Sequence, residues 1–174
     1  FIYTGSAIEP ATVSVTGAGG LNETPAAAYV NNINVGTATA SYTYAGDANH
    51  YGSNDSEDFA IGKASTTTTV VAANATYDGN QHGATASVTG DGGLSESLTV
   101  TYEGVAPTVY ASSAVAPVNA GTYKASASYS GDANHDGSSD SKNFTIGQKP
   151  LTITANPITK EFYTTYSFVG DEFT

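Results

Sequence analysis

An internal repeat constrains the fold of this chain more than any other feature of its sequence. Residues 34–62 and 119–147 align without a gap at an offset of 85, and 18 of the 29 positions are identical. Residues 15–21 match 88–94 at an offset of 73, so the second copy carries about 12 more residues between the two blocks. The pattern indicates a tandem array of one small module. Such arrays usually build length and surface rather than a single active site.

Composition excludes several classes of partner. A net charge of -11 with only five Lys and Arg residues argues against nucleic acid, because binding to phosphates needs clustered cations. No apolar run approaches the roughly 20 residues of a membrane-spanning helix. The chain has no Cys, which removes disulfides and thiolate chemistry. We expect a secreted or cell-surface protein of a bacterium or archaeon. The sequence starts at Phe1 and shows no signal peptide, which predicts that it is mature or excised sequence.

Alternating short segments predict an all-β fold. Period-two patterns, in which β-branched or aromatic residues alternate with polar ones, are typical of half-buried strands. No segment keeps a period of 3.6 residues, so we expect no substantial helix. The predicted strands follow turn signals every 8–12 residues and include 13–16, 39–44, 58–61, 66–71, 124–129, 143–146 and 151–155. Strands of this length and spacing favour a β-sandwich.

The repeat also resembles a known family. The motifs that carry the resemblance are Tyr77-Asp78-Gly79, with Tyr3-Thr4-Gly5 in the first copy, the run 119–123 (Asn-Ala-Gly-Thr-Tyr), the run 129–134, and the closing run 144–147. They are similar to the bacterial immunoglobulin-like repeats, of the MBG or YDG type, of large surface proteins. The resemblance implies tandem Ig-like β-sandwiches that serve as adhesin stalks, spacers or fibre segments. It also implies a corner role for Tyr123, which Ala38 replaces in the first copy.

The repeat boundaries predict three segments. Residues 1–63 form a first Ig-like repeat that lacks its first strand, 64–148 form a second repeat, and 149–174 are the start of a third repeat or a donated strand segment. Two explanations stay open for these ends. Either the chain is a window of a longer tandem protein, or residues 151–174 of one copy complete the first repeat of the next by strand addition. Head-to-tail donation of this kind makes an open filament.

One motif suggests a metal. Residues 132–137 reproduce the D-x-N-x-D-G start of a calcium loop, which gives Asp132, Asn134, Asp136 and Asp140 as candidate ligands. The first copy has Tyr51 in place of the third ligand, and small polar residues in a hairpin loop explain the same letters by turn chemistry. His50 and His135 are equivalent in the repeat and are interpreted as capping their own turns. No other cofactor is predicted.

The function predicted from these features is structural. We expect a repeat region of an extracellular adhesin, stalk or filament, whose partners are adjacent repeats or neighbouring copies. A module that binds a carbohydrate or another host-surface ligand through exposed Tyr is the alternative. No acid–base pair is spaced for catalysis, so we expect no enzyme. The residues expected to carry the architecture or the interface are Phe1, Tyr3, Phe59, Ile61, Tyr123, Phe144, Ile146, Leu151 and Ile153.

Overall fold

The computed structural model describes residues 1–155, 162, 163 and 165, and within them the chain is built from β-strands. The predicted all-β class is confirmed. Short 3-10 turns at Ala18–Gly20 and Asp91–Gly93 are the helical elements of the described residues, and none of these residues forms a helix suited to crossing a membrane. The strands are β1 (Val15–Thr16), β2 (Asn22–Glu23), β3 (Ala28–Val30), β4 (Gly36–Tyr44), β5 (Ser53–Ile61), β6 (Thr66–Val71), β7 (Ala75–Thr76), β8 (Thr85–Gly90), β9 (Leu94–Ser97), β10 (Thr101–Gly104), β11 (Gly121–Tyr129) and β12 (Ser138–Gly147).

The two copies of the repeat fold into hairpins with the same register. In the first repeat β4 pairs antiparallel with β5, and Gly36 lies opposite Ile61. In the second repeat β11 pairs antiparallel with β12, and Gly121 lies opposite Ile146. These pairs are related by the offset of 85 found in the sequence. The repeat in the sequence is therefore also a repeat in the backbone.

Two sheets of the second repeat share one core. The sheet β10-β11-β12-β7 packs against the sheet β6-β8-β9, because β6 lies against both β11 and β12. Tyr123, Phe144 and Ile146 are each 2 % exposed and belong to the core. The Tyr123 hydroxyl donates to the carbonyl of Asn119 at 2.8 Å, which is the hydrogen bond of a tyrosine corner.

The first repeat has a smaller set of strands. It contains the sheet β3-β4-β5 and the two-stranded β1-β2, and the described residues supply no strand equivalent to β6. Ile61 is buried as Ile146 is, but Phe59 is only half-buried. The ring of Phe1 packs edge-on against Phe59 at 5.4 Å. The side chain of Phe1 is still 60 % exposed, so the core of this repeat is thinner than that of the second.

The chain beyond β12 was expected to begin a further strand. Leu151–Thr154 forms no strand in the structure, and Leu151 and Ile153 are 85 % and 71 % exposed. Their predicted role as a joining strand is therefore not fulfilled within this chain. Most of the rest of the segment 149–174 lies outside the described residues.

The difference in burial between the two repeats gives a stability prediction. Replacing Phe144 with Ala removes a fully buried ring and should lower the free energy of unfolding by about 3–5 kcal/mol. The matched change Phe59→Ala should cost less, because that ring is half-buried. Urea denaturation followed by tyrosine fluorescence measures both. Equal losses in the two variants would contradict the assignment of the larger core to the second repeat.

Candidate functional site

An open groove runs along the first repeat. It encloses about 320 Å³ between the segment that leads into β1 and the hairpin β4–β5. Three stretches of chain form most of its lining: 11–16, 40–42 together with Tyr44, and 53–57. Ser, Thr, Asn and Asp make up half of the lining, and Ala, Val and Tyr make up most of the rest. An open groove of this kind beside a strand suits an extended chain.

Strand β6 occupies the corresponding place in the second repeat. At the offsets of the repeat, the groove residues 12–16 correspond to Thr85–Thr89 of β8, and 53–57 correspond to the start of β12. Strand β6 pairs antiparallel with β8 and packs against β12. The groove is thus the unfilled equivalent of the site that holds β6.

Hydrogen bonds between β12 and β6 show how this site binds a strand. Asp140 Oδ2 accepts the backbone N–H of Val70 at 2.8 Å, and the hydroxyls of Thr68 and Ser138 lie 2.7 Å apart. The equivalent residues in the first repeat are Asp55 and Ser53, which both line the groove. Both are exposed, whereas Asp140 and Ser138 are half-buried beneath β6. The gripping groups are therefore present in the first repeat without the strand.

Apolar positions show the same difference. Val88 of β8 is fully buried against β6, but its equivalent, Val15, is only half-buried at the groove. The same holds for Ala86 and its equivalent, Val13. Filling the groove would remove apolar surface from water, and this favours a strand that presents apolar side chains inward.

A carboxylate–imidazole clasp closes the loop of each hairpin. In the second repeat His135 Nδ1 lies 2.9 Å from Asp132 Oδ1, and His135 Nε2 lies 2.8 Å from the carbonyl of Asp91. In the first repeat His50 makes the same two contacts, to Asp47 at 2.9 Å and to the carbonyl of Ala18 at 2.9 Å. Each histidine therefore ties its hairpin loop to the neighbouring 3-10 turn, which goes beyond the predicted capping of its own turn.

Both ring nitrogens of each histidine face acceptors, so both hydrogen bonds form only when the ring is protonated. The carbonyl of Asp91, followed by the carboxylate of Asp132, raises the pKa of His135 above its ordinary value. The pKa of Asp132 is lowered in turn, chiefly by the hydrogen bond from His135. In the first repeat, the N–H of Asn49 and the ring of His50 lower the pKa of Asp47 to about 2.

The two repeats meet at a junction that includes the second clasp. The ring of Tyr3 packs edge-on against the ring of His135, with centroids 5.2 Å apart. Asn134 makes two further contacts across the junction: its Oδ1 accepts the N–H of Val35 at 3.1 Å, and its Nδ2 donates to Asn34 Oδ1 at 3.2 Å.

Two glycines allow the backbones to meet at this junction. A Cβ on Gly5 would lie 2.5 Å from the Cα of Gly92, and a Cβ on Gly92 would lie 2.6 Å from the ring of Tyr3. Neither position has room for a side chain. The repeats are therefore in direct contact, backbone to backbone, rather than held apart by a free linker.

The connecting chain also binds the same loop. The N–H of Ala64 donates to the carbonyl of Asn134, and the N–H of Asp136 donates to the carbonyl of Ala64, both at 2.9 Å. The amine of Lys63 donates to the carbonyl of Asp132. The loop at 132–136 therefore receives both the preceding repeat and the strand that enters the second repeat.

The candidate calcium ligands are engaged in these contacts. Asp132 is held by His135 and by the Tyr129 hydroxyl, Asn134 lies in the junction, and Asp140 grips β6. No group of three or more His, Asp or Glu side chains in the described part of the chain is arranged to hold a metal ion. Turn and strand chemistry accounts for three of the four side chains, and calcium binding stays a prediction from the motif.

One pair of structural residues escaped the sequence analysis. The Tyr102 hydroxyl accepts the N–H of Ala84 at 2.8 Å and donates to its carbonyl at 3.3 Å. Tyr29 makes the same pair of bonds to Ala11 at the same distances. The two Tyr residues are related by the offset of 73, and so are Ala11 and Ala84, so this offset outside the matched blocks is the sequence signal for the pair.

Comparisons with known proteins return no relative. No family model, no curated protein and no solved structure matches this chain.

The clasps make stability depend on pH. The pKa of His135 is raised above its ordinary value of 6.5 in the folded state. The protonated ring therefore stabilises the fold fully below pH 6.5, and this stabilisation is lost as the pH rises through the folded pKa. The lowered pKa of Asp132 has the opposite effect: its contribution is present above the ordinary value near 3.8 and is lost in stronger acid. We therefore expect the Tm to be highest between about pH 4 and 6.5 and to fall toward pH 9.

Thermal unfolding at a series of pH values measures this dependence. In the double variant His50→Gln/His135→Gln the decline above pH 6.5 should be much reduced, because neither loop then has a titrating ring. A decline of the same size in this variant would show that other groups cause it.

Proposed function

We propose that this chain is a structural repeat region of an extracellular surface protein, an adhesin, stalk or filament, in which Ig-like β-sandwiches act as rigid spacers. The observation that carries the proposal is the direct junction between the repeats. Contacts of Tyr3 and Asn134 across it, together with the bonds that fix Ala64, leave little freedom between one repeat and the next. A rod of this kind holds a distal element at a fixed distance and orientation.

The surface and the charge agree with this role. The chain has a net charge of -11, which favours solubility and disfavours adhesion to anionic surfaces. The cores contain no disulfide bond, because the sequence has no Cys. Polar clasps lock the loops. Each of these features favours a module whose task is to stay folded and extended outside the cell.

The alternative is recognition of a carbohydrate through exposed tyrosines. Tyr51 is fully exposed and Tyr77 is 40 % exposed, and an aromatic face of this kind stacks on sugar rings. Tyr51 lies in the hairpin loop of the first repeat, whereas Tyr77 follows β7 of the second repeat. The two rings belong to different repeats, and the residue equivalent to Tyr51 is Asp136. We therefore favour the spacer.

Rotational motion tests the rigidity of the junction. In ¹⁵N relaxation measurements on the full chain, both repeats should share one rotational correlation time. Tyr3→Ala removes the ring that packs on His135 and should let the two repeats tumble with distinct correlation times. The control is Val71→Ala, which removes an exposed apolar side chain outside the junction and should leave the common time unchanged. Independent repeats in the unaltered chain would contradict a rigid spacer.

A glycan array separates the two functions. The spacer should give no specific signal on an array of bacterial and host glycans. Signals that disappear in Tyr51→Ala would replace the spacer with the carbohydrate-binding alternative, because that ring is fully exposed and has no structural contact to lose.

A further inference from the structure

The two halves of the junction recur at the outer ends of the pair of repeats. On the side of the first repeat the junction is formed by Tyr3, Gly5 and Asn34. Tyr3 and Gly5 correspond to Tyr77 and Gly79 at an offset of 74, as Ile2, which pairs with Gly62, corresponds to Thr76, which pairs with Gly147. Asn34 corresponds to Asn119 at the offset of 85. We call Tyr77, Gly79 and Asn119 the tail face. On the side of the second repeat the junction is formed by Gly92, Asn134 and His135. These residues correspond to Gly19, Asn49 and His50, which we call the head face. All six residue types are identical.

The free faces also keep the conformation of the junction. His50 is clasped as His135 is, with the same two acceptors, but its side chain is 24 % exposed where that of His135 is 7 % exposed. Gly79 and Gly19 have φ angles of +86° and +70°, close to the values of +80° and +70° at Gly5 and Gly92. A Cβ on Gly79 or Gly19 would meet nothing within 4 Å. The faces are thus formed in advance and uncovered.

The chain that leaves the tail face has the pattern needed by the groove. At the constant offset of 85, the inward residues Thr66, Thr68 and Val70 of β6 correspond to Leu151, Ile153 and Ala155. These apolar side chains alternate with Thr, and Leu151 and Ile153 are exposed on their own chain. The stretch from Gly62 to β6 has the same length as the stretch from Gly147 to Leu151. A segment that follows the tail face therefore has the length to reach a groove beside the head face.

We propose that a second copy of this chain docks its tail face on the head face of the first and lays its residues 149–155 in the groove. The contact repeats the junction between the two repeats of one chain. Antiparallel pairing in the register of β6 with β8 places Ile153 opposite Val15. The N–H of Ala155 then donates to Asp55, as that of Val70 donates to Asp140. The interface is heterologous, so each added copy leaves a new free tail and head, and the assembly is open-ended.

This inference rests on the proposed structural role and names the partner: another copy of the repeat pair. It is tested separately from that role, because the relaxation and glycan experiments concern a single chain. A failure to associate would leave the spacer intact, and a glycan signal would leave the association intact.

Two asparagine substitutions test the faces. Gly79→Asn blocks the tail face and Gly19→Asn blocks the head face, because the junction leaves no room for a side chain at the equivalent glycines. Asn tolerates a positive φ and both sites are open in the single chain, so the fold is expected to survive. Gly20→Asn is the matched control: Gly20 has a φ of +89°, is equally open, and its equivalent, Gly93, touches nothing in the junction.

Sedimentation velocity on the full chain measures the mass of the assembly formed by each variant. The unaltered chain and Gly20→Asn should show a mass that rises with concentration without stopping at a dimer. Each blocked variant alone should have an association constant at least about ten-fold lower than that of the unaltered chain. A mixture of the two blocked variants has one intact face of each kind and should stop at twice the mass of the 17.6 kDa chain. Circular dichroism and thermal unfolding verify that every variant is folded.

Ile153→Asn tests the strand. It places a polar side chain at an inward position of the groove and leaves both faces intact, so it should weaken association by about ten-fold as well. The proposal is overturned if the unaltered chain stays monomeric at about 1 mM, a concentration that detects even weak pairing. It is also overturned if the mixture of blocked variants forms no dimer. Undiminished association of Ile153→Asn would overturn the insertion of the strand.

Discussion

The clasp between Asp132 and His135 is the interaction on which the joined structure depends. It holds the loop at 132–136 against the turn at Asp91–Gly93, and that loop offers its carbonyls and N–H groups to the incoming chain at Ala64. The ring of His135 is also the surface on which Tyr3 of the preceding repeat packs. His135 and its loop thus contact both the strand that enters the second repeat and the repeat that comes before it. A small electrostatic unit thus lies at the centre of the junction between the two repeats.

The groove shows what happens where this unit has no strand to hold. The first repeat keeps its clasp, its gripping carboxylate at Asp55 and its hairpin, yet the described residues place no strand between them. Burying Leu151 and Ile153 there would contribute about 1.5–3 kcal/mol each. Association costs about 4–15 kcal/mol in lost freedom, so the strand alone binds weakly. The contacts between the faces have to act together with the strand, and both are supplied by the same neighbouring copy.

The sequence predicted those parts of the fold that depend on local pattern. Alternation located the hairpins, and the turn chemistry of Gly-Asp-Ala-Asn-His marked their loops. Contacts between distant residues were beyond it. The string D-x-N-x-D-G is the same in a cation loop and in this hairpin loop, so the sequence leaves both calcium binding and turn chemistry open for Asn134. The structure places its amide at the junction. Nothing local distinguishes Tyr3, which packs on the next repeat, from Tyr77, whose position is equivalent but 40 % exposed. That difference depends on whether a neighbour is present.

The placement of these residues argues for repetition beyond two units. The residue types that form the junction recur at the outer ends of the two repeats. Gly19 and Gly79 have positive φ angles like those of Gly92 and Gly5, and a Cβ on either would meet nothing within 4 Å. Asn119 also makes a bond within its own repeat, but through its carbonyl rather than its side chain. The side chains of the head and tail faces are therefore explained by the junction they match, and a heterologous junction is completed only by a further unit.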